Sequence, residues 1–180
     1  MQYNITIEGT TPLIVNRFHE EAQAEATSGV HSRHEALTPQ EDAEARLYRL
    51  PDGRCYFPAE NLRQSVITAA GRHKIGRRSA ASDAAAALGI WPGAIPLEGT
   101  WAVDARAVVI PVTRGRLTRF RPIFEKWSLS FIYDVDVDLF DANLARRVLE
   151  DAGRYVGIGD FRPARKGPYG KFAVTSWAEA

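Results

Sequence analysis

Hydrophobic and polar residues alternate in several short segments of the chain with the period of a β-strand. In residues 2–8, Tyr3, Ile5 and Ile7 alternate with polar neighbours. This alternation predicts a strand with one buried face, because successive side chains of a strand point to opposite sides of a sheet. The same pattern predicts strands over residues 102–111, 127–134 and 171–177.

Helical spacing dominates two other segments. In residues 59–72 the apolar positions recur every three or four residues, and Gly71 is a stop signal near the end. Asp141 is a capping residue for a second helix, whose apolar stripe continues to about Val156. A short helix is predicted after Thr38, because a proline and then a glutamate follow this threonine at the spacing of a capping box.

The connecting segments carry turn and loop signals. The sequence Pro51-Asp52-Gly53-Arg54 predicts a hairpin turn, since glycine accepts the positive φ that the turn needs. Residues 71–82 are predicted to form a loop, and the alanine-rich residues 83–88 are a candidate helix. Residues 16–37 are rich in Glu, Ala, Ser and His without apolar periodicity, so we expect them to be mobile.

The main elements follow one another in the order strand, helix, strand, strand, helix, strand. This is the order of the ferredoxin-like split βαβ arrangement, an α+β fold in which two helices cover one face of an antiparallel sheet, as in RNA-recognition domains. We therefore expect a single ferredoxin-like domain over residues 1–180, with an insertion at 16–57 between the first strand and the first helix.

Composition agrees with a folded domain and shows an uneven distribution of charge. The 180 residues are 45% hydrophobic and 25% charged, which excludes low-complexity disorder. The formal net charge is only +1. However, residues 1–60 carry 5 basic and 10 acidic side chains, whereas residues 61–126 carry 11 and 4. The chain therefore has a basic middle third that its total charge conceals.

The sequence also limits the cellular compartment. Cys55 is the only cysteine, so neither an internal disulfide nor a cysteine-rich zinc site can form. The first residues lack the pattern of a signal peptide, and the chain has no long apolar run. These features predict a cytoplasmic protein without a membrane partner.

The most informative segment is the link between the last helix and the last strand, residues 157–172. It is longer than a connection needs and combines glycines, aromatic residues and cations. Glycine allows backbone amides to approach an anion, cations neutralise phosphates, and Phe161 and Tyr169 could stack on bases. The alternative is a glycine-rich helix stop followed by a solvated turn.

Two further basic clusters lie in the middle third. Residues 61–82 contain six basic side chains, counting His73, and no acidic one, which is also compatible with a solvated helix end. Residues 113–126 begin with alternating arginines and predict a protruding basic ribbon, which could equally be an edge that discourages aggregation. The candidate nucleic-acid contacts are Arg63, Arg72, Lys74, Arg77, Arg114, Arg116, Arg119, Gly157, Gly159, Phe161, Arg162, Arg165, Lys166, Gly167, Tyr169 and Gly170.

Catalytic and metal-binding signals are weaker. His19, His31 and His34 lie close to glutamates in the insertion, but their spacing matches no ligand motif. Asp134, Asp136 and Asp138 are explained by a strand end that runs into a capped helix. We therefore expect no metal, no cofactor and no catalytic residue.

Three segments together resemble the RAMP superfamily, the ferredoxin-fold subunits of CRISPR effector complexes. Residues 5–13 resemble its first strand and exit, residues 57–63 the start of its first helix, and residues 157–172 its glycine-rich loop. Among its members, residues 121–128 and 159–163 look most like segments of small phage and prophage proteins. A phage origin would place the protein in the host cytoplasm.

The resemblance implies a palm that binds single-stranded nucleic acid, with the ribbon at 113–126 as a thumb and the insertion at 16–57 as fingers. It also implies subunits that associate along RNA. The chain departs from the family pattern, because its fingers are short and acidic. In addition, Asp42, the only aspartate before Pro51, lies in the predicted short helix rather than in the first loop. Nuclease activity is therefore not expected.

These observations favour a non-catalytic protein that binds single-stranded nucleic acid, RNA rather than DNA, as a homo-oligomer or within a nucleoprotein complex. Two alternatives remain open at this point. One is a protein–protein module that docks on a host CRISPR complex or forms part of a phage particle. The other is a metal-independent RNA endonuclease that uses His19, His31 or His34 as a general base.

Overall fold

The computed structural model describes residues 1–17, 37–109 and 116–180. In these residues the strands are β1 (Gln2–Gly9), β2 (Leu13–Ile14), β3 (Tyr56–Pro58), β4 (Lys74–Ile75), β5 (Arg78–Ser79), β6 (Leu88–Trp91), β7 (Ala94–Glu98), β8 (Trp101–Val109), β9 (Arg116–Phe124), β10 (Ser128–Val135) and β11 (Phe172–Glu179). The helices are α1 (Pro39–Ala45), α2 (Ala59–Ala70), α3 (Ala81–Ala87) and α4 (Ala142–Asp151). A π-helical turn (Ala152–Val156) and a 3-10 turn (Pro163–Arg165) follow α4.

The main sheet is antiparallel and has the ferredoxin-like arrangement. Its strand order is β11-β1-β10-β7-β3, and β6 also pairs with β10. Ile5 in β1 lies opposite Phe131 in β10 and Trp177 in β11. The alternating side chains Tyr3, Ile5 and Ile7 are buried in one core together with the apolar stripes of α2 and α4. The α+β, ferredoxin-like prediction is confirmed.

The second strand of the ferredoxin-like order is formed by residues that the periodicity does not reveal. Residues 102–109 do form a strand, as predicted, but β8 belongs to a separate sheet with the order β2-β9-β8. The place beside β10 is taken by β6, whose Trp91 lies opposite Ile132, and by β7. Pro92 and Gly93 divide this edge into two short pieces, neither of which is long enough to show a clear period.

The second sheet is a long antiparallel ribbon. β8 pairs with β9 over nine residues, from Trp101 opposite Phe124 to Val109 opposite Arg116. The short strand β2 pairs with the base of β9, where Leu13 lies opposite Phe124. Since β2 directly follows β1, the chain passes from the main sheet into the ribbon within a few residues.

The structure agrees with some of the local sequence predictions and differs from others. Thr38 and Glu41 form the predicted capping box at α1, and Gly53 adopts a positive φ of 87° in the predicted turn. Residues 71–82 are more ordered than a loop, because β4 and β5 form a small hairpin around Gly76, which has a φ of 62°. The predicted mobile segment falls mostly on residues 18–36, outside the described part of the chain.

The face of the main sheet away from the helices carries neutral and acidic side chains. Strands β1, β6, β10 and β11 contain no lysine or arginine. Thr6 and Ser130 hydrogen-bond across this face at 3.0 Å, and Trp91 is 56% exposed on it. The cations of the domain are therefore displaced to the other elements.

Replacement of Gly153 by alanine should destabilise the domain. A Cβ at this position in the π-helical turn would lie 2.1 Å from the Phe172 carbonyl oxygen, so α4 and β11 would have to move apart. We expect Gly153→Ala to lower the free energy of unfolding by about 1–3 kcal/mol in urea denaturation. Gly93→Ala is the matched control, since a Cβ there meets nothing within 4 Å, and equal stabilities for the two variants would contradict the described packing.

Candidate nucleic-acid interface

The glycine loop, residues 157–171, connects the π-helical turn to β11 through close backbone contacts. A Cβ on Gly167 would lie 1.8 Å from the Phe161 carbonyl oxygen, and a Cβ on Gly170 would lie 1.8 Å from that of Ile158. Gly170 also has a positive φ of 69°. Any other residue would force the two arms of the loop apart, so the glycines are required by packing within the loop.

The amide groups of these glycines are already used. Gly157 donates to the Ala152 carbonyl at 2.7 Å, Gly167 to that of Arg162 at 3.1 Å, and Gly170 to that of Pro12 at 2.8 Å. Gly159 packs against the Ile14 carbonyl, from which its Cβ would be 2.5 Å away. Backbone carbonyls therefore occupy the amides of Gly157, Gly167 and Gly170, and contact of these glycines with nucleic acid stays a prediction.

The two aromatic side chains of the loop hold an arginine of the ribbon. The Arg106 guanidinium lies 4.5 Å from the centre of the Tyr169 ring and 5.8 Å from that of Phe161, and it donates a hydrogen bond to the Tyr169 hydroxyl. A 2.7 Å hydrogen bond to Asp104 raises the pKa of Arg106 above its ordinary value. Both rings are thus engaged in cation–π contacts that fasten the loop to β8, and their stacking on bases stays a prediction.

A buried arginine connects the loop to the other strand of the ribbon. Arg121 in β9 is 8% exposed, and its Nη1 lies 3.1 Å from the Asp160 carboxylate. Within the described residues neither its Nε nor its Nη1 has a hydrogen-bond partner, so its contact with Asp160 is an ion pair without a directed hydrogen bond. Burial lowers the pKa of Arg121, and the charge of Asp160 opposes that shift. The ion pair with Asp160 therefore offsets part of the cost of burying the Arg121 charge.

Asp160 is also the centre of a polar network at the exit of β2. It accepts a hydrogen bond from Asn16 at 3.2 Å, and its backbone amide donates to Ile14 at 2.8 Å. Asn16 in turn accepts from Arg46, which forms an ion pair with Asp42 at 2.8 Å. The network joins the glycine loop, β2 and α1.

The basic cluster at 61–82 separates into structural and exposed cations. Arg63 donates to the Leu88 carbonyl at 2.9 Å and to the Ala85 carbonyl, so it caps the end of α3. Two of its donors are thus used at the helix end, and its contact with nucleic acid stays a prediction. Arg72, Lys74 and Arg77 are exposed, and the Arg72 guanidinium lies 4.6 Å from the ring centre of the half-exposed Tyr155.

A cleft of about 240 Å³ runs between α2 and the glycine loop. We call it the central cleft. Its floor is apolar, and its walls carry amide, hydroxyl and charged groups. The main lining residues are Val15, Asn16, Tyr48, Phe57, Asn61, Gln64, Thr68, Val156, Ile158, Asp160 and Arg162.

One half-buried and several exposed cations surround the loop side of the central cleft. Arg162 lines it and is held by a 2.9 Å hydrogen bond from its Nη1 to the Gly159 carbonyl. Arg165 and Lys166 follow at the 3-10 turn and are exposed. Arg119 is exposed on β9 directly opposite Arg106. It shares the face of the ribbon that carries Arg121 toward the loop, because alternate residues of a strand lie on one face.

The wall formed by α2 was missed by the sequence analysis. Asn61, Gln64 and Thr68 are exposed on one stripe of the helix, and Arg72 continues that stripe beyond the helix end. The spacing of these residues is helical and could have been recognised. Their amide and hydroxyl groups carry no charge, so these residues do not stand out in the distribution of basic side chains.

Several predicted site residues lie outside the described residues, and for one of them only the place in a strand is described. Arg114, His19, His31 and His34 fall outside, and Arg116 is known only as the first residue of β9. In the described ranges no group of His, Cys, Asp and Glu side chains could hold a metal ion. No helix of the described chain is long and apolar enough to cross a membrane.

The fold is similar to that of protein chains in solved structures, 45 of which match. One is a chain in the cryo-electron microscopy structure of the type III-B Cmr-β complex bound to cognate target RNA. The TM-score is 0.53 and the sequence identity is 10%, and the match covers 99% of this chain but only 61% of the Cmr-β chain. No protein-family model matches the sequence, and no curated protein matches it.

Replacement of Asp160 by asparagine should destabilise the ribbon side of the domain. The change leaves the buried Arg121 without its carboxylate, and we expect the free energy of unfolding to fall by about 2 kcal/mol or more, given the partial exposure of Asp160. Glu150→Gln is the control, since it removes an ion pair with the more exposed Arg146 and should cost less than about 1 kcal/mol. Thermal or urea denaturation measures both, and a harmless Asp160→Asn would contradict the role given to this pair.

Proposed function

We propose that the protein binds single-stranded RNA along the rim of the central cleft, as a non-catalytic RAMP-type subunit of a nucleoprotein complex. The observation that carries the proposal is the arrangement of cations around a polar cleft. The half-buried Arg162 and the exposed Arg165 and Lys166 lie on the loop side, and the exposed Arg119 and Arg72 lie on the ribbon and at the end of α2. Such a row can neutralise successive phosphates of one strand.

The distribution of charge favours this surface over the rest of the molecule. The main sheet offers no cation on β1, β6, β10 or β11, although the open sheet is the surface that RNA-recognition domains use. Phosphates are therefore attracted to the cleft side and not to the sheet. The acidic first third of the chain and the cation-free sheet face remain for contacts with protein.

The similarity in fold supports the choice of RNA as the ligand. The Cmr-β chain belongs to a complex that was solved with target RNA. By analogy with such subunits we propose that the basic ribbon at 113–126 acts as a thumb, and that the insertion at 16–57 acts as fingers. The match covers 61% of the Cmr-β chain, so the analogy extends to that part of it alone.

Reversal of two rim charges should weaken RNA binding and its dependence on salt. Fluorescence anisotropy with a labelled mixed-sequence single-stranded RNA, at salt concentrations from 50 to 200 mM, measures both. For the double variant Arg119→Glu/Arg165→Glu we expect weaker binding, because two phosphate contacts are lost. The slope of log affinity against log salt should decrease by about 1.4, at about 0.7 per contact with a single strand.

The variant Arg146→Glu is the control for a charge reversal outside the proposed surface. Arg146 is exposed on α4, outside the central cleft, so its reversal should leave the slope unchanged. A second arm uses DNA of the same sequence, which we expect to bind more weakly because it lacks the 2′-hydroxyl groups. An affinity that is independent of salt, or equal losses in the control and double variants, would refute the proposed surface.

A further inference from the structure

The central cleft is chemically different from its rim. The floor is formed by buried apolar side chains of the core, among them Val15, Phe57 and Ile158. The wall on α2 carries the amide groups of Asn61 and Gln64, which are exposed at neighbouring positions on one helix face. An apolar floor below a few directed polar groups is typical of a site for a small planar molecule.

The carboxylate of the cleft lining repels a phosphate there. It belongs to Asp160, which forms an ion pair with Arg121. Arg162 is the cation of the lining, and one end of its guanidinium is held by the Gly159 carbonyl at the loop side. A neutral group can therefore occupy the cleft while the phosphates of the same strand remain at the rim.

We infer that the central cleft receives a single unstacked nucleobase, and that Asn61 and Gln64 select adenine. This inference rests on the proposed RNA binding and adds a recognition site to it. An amide offers one acceptor and one donor side by side, which matches the N6 amino group and the N7 atom of adenine. The cleft has a volume of about 240 Å³ and is lined on both sides, by α2 and by the glycine loop.

The shape of the cleft is fixed before any ligand arrives. Ser65 on α2 donates a 2.8 Å hydrogen bond to the Gly157 carbonyl, so the helix and the loop are fastened directly to each other. Val156 ends a π-helical turn at the cleft, and such turns occur often at functional sites. A preformed site costs less ordering on binding, which leaves more of the contact energy for discrimination between bases.

The test uses labelled oligouridine and three matched strands, each with one central uridine replaced by adenosine, cytidine or guanosine. Anisotropy is measured at one salt concentration for the wild type and for the double variant Asn61→Leu/Gln64→Met. For the wild type we expect the adenosine strand to bind at least about fivefold more tightly than oligouridine. In the variant this advantage should disappear, while the affinity for oligouridine stays within about twofold, because the rim cations are unchanged.

Gln40→Met is the matched control, because Gln40 is exposed on α1 and does not line the cleft. Equal binding of the four strands to the wild type, preference for another base, or an adenosine preference that survives in the variant would each overturn the inference while leaving RNA binding intact. Absence of binding to any strand would overturn the inference and the proposed function together.

Discussion

The contact between Arg121 and Asp160 is the interaction on which the geometry of the cleft side depends. Arg121 comes from the ribbon and Asp160 from the glycine loop, and their side chains meet at 3.1 Å where Arg121 is nearly inaccessible to water. A buried guanidinium is costly without a countercharge, so the ribbon and the loop cannot separate freely. The second sheet is thereby held against the last connection of the main sheet.

Other contacts extend this constraint in both directions. Asp160 reaches Asn16 and, through it, Arg46 of α1, while Arg106 is held by Phe161 and Tyr169. The polar and aromatic groups of the loop are thus largely consumed in holding the domain together. The groups that remain at the surface are cations around the central cleft. The two walls of this cleft are already fastened to each other by the hydrogen bond from Ser65 to Gly157. This division separates the groups that build the site from those that are left to contact a ligand.

The sequence predicts the parts of this structure that depend on local physics. Alternation reveals β1, β10 and β11 because each has one face in the core, and capping identifies α1 and α4. Alternation does not reveal β6 and β7, because Pro92 and Gly93 interrupt this part of the sheet. Both strands are held by pairing with β10, and β7 also pairs with β3. The contacts of Arg63 with the end of α3 and of Tyr169 with Arg106 could not be predicted from the sequence either. A cation or an aromatic ring has the same appearance in the sequence whether it binds a partner or a distant part of its own chain.

The position of β1 also determines when the domain can fold. Its Ile5 lies between Phe131 and Trp177, so the earliest strand of the chain is completed only by two of the latest. During synthesis β1 must remain unpaired until β10 has left the ribosome, and its second edge stays open until β11 follows. Because the glycine loop immediately precedes β11, the cleft forms in the last step. A partially synthesised chain therefore lacks the cleft, and the order of the strands along the chain alone determines when the cleft can form.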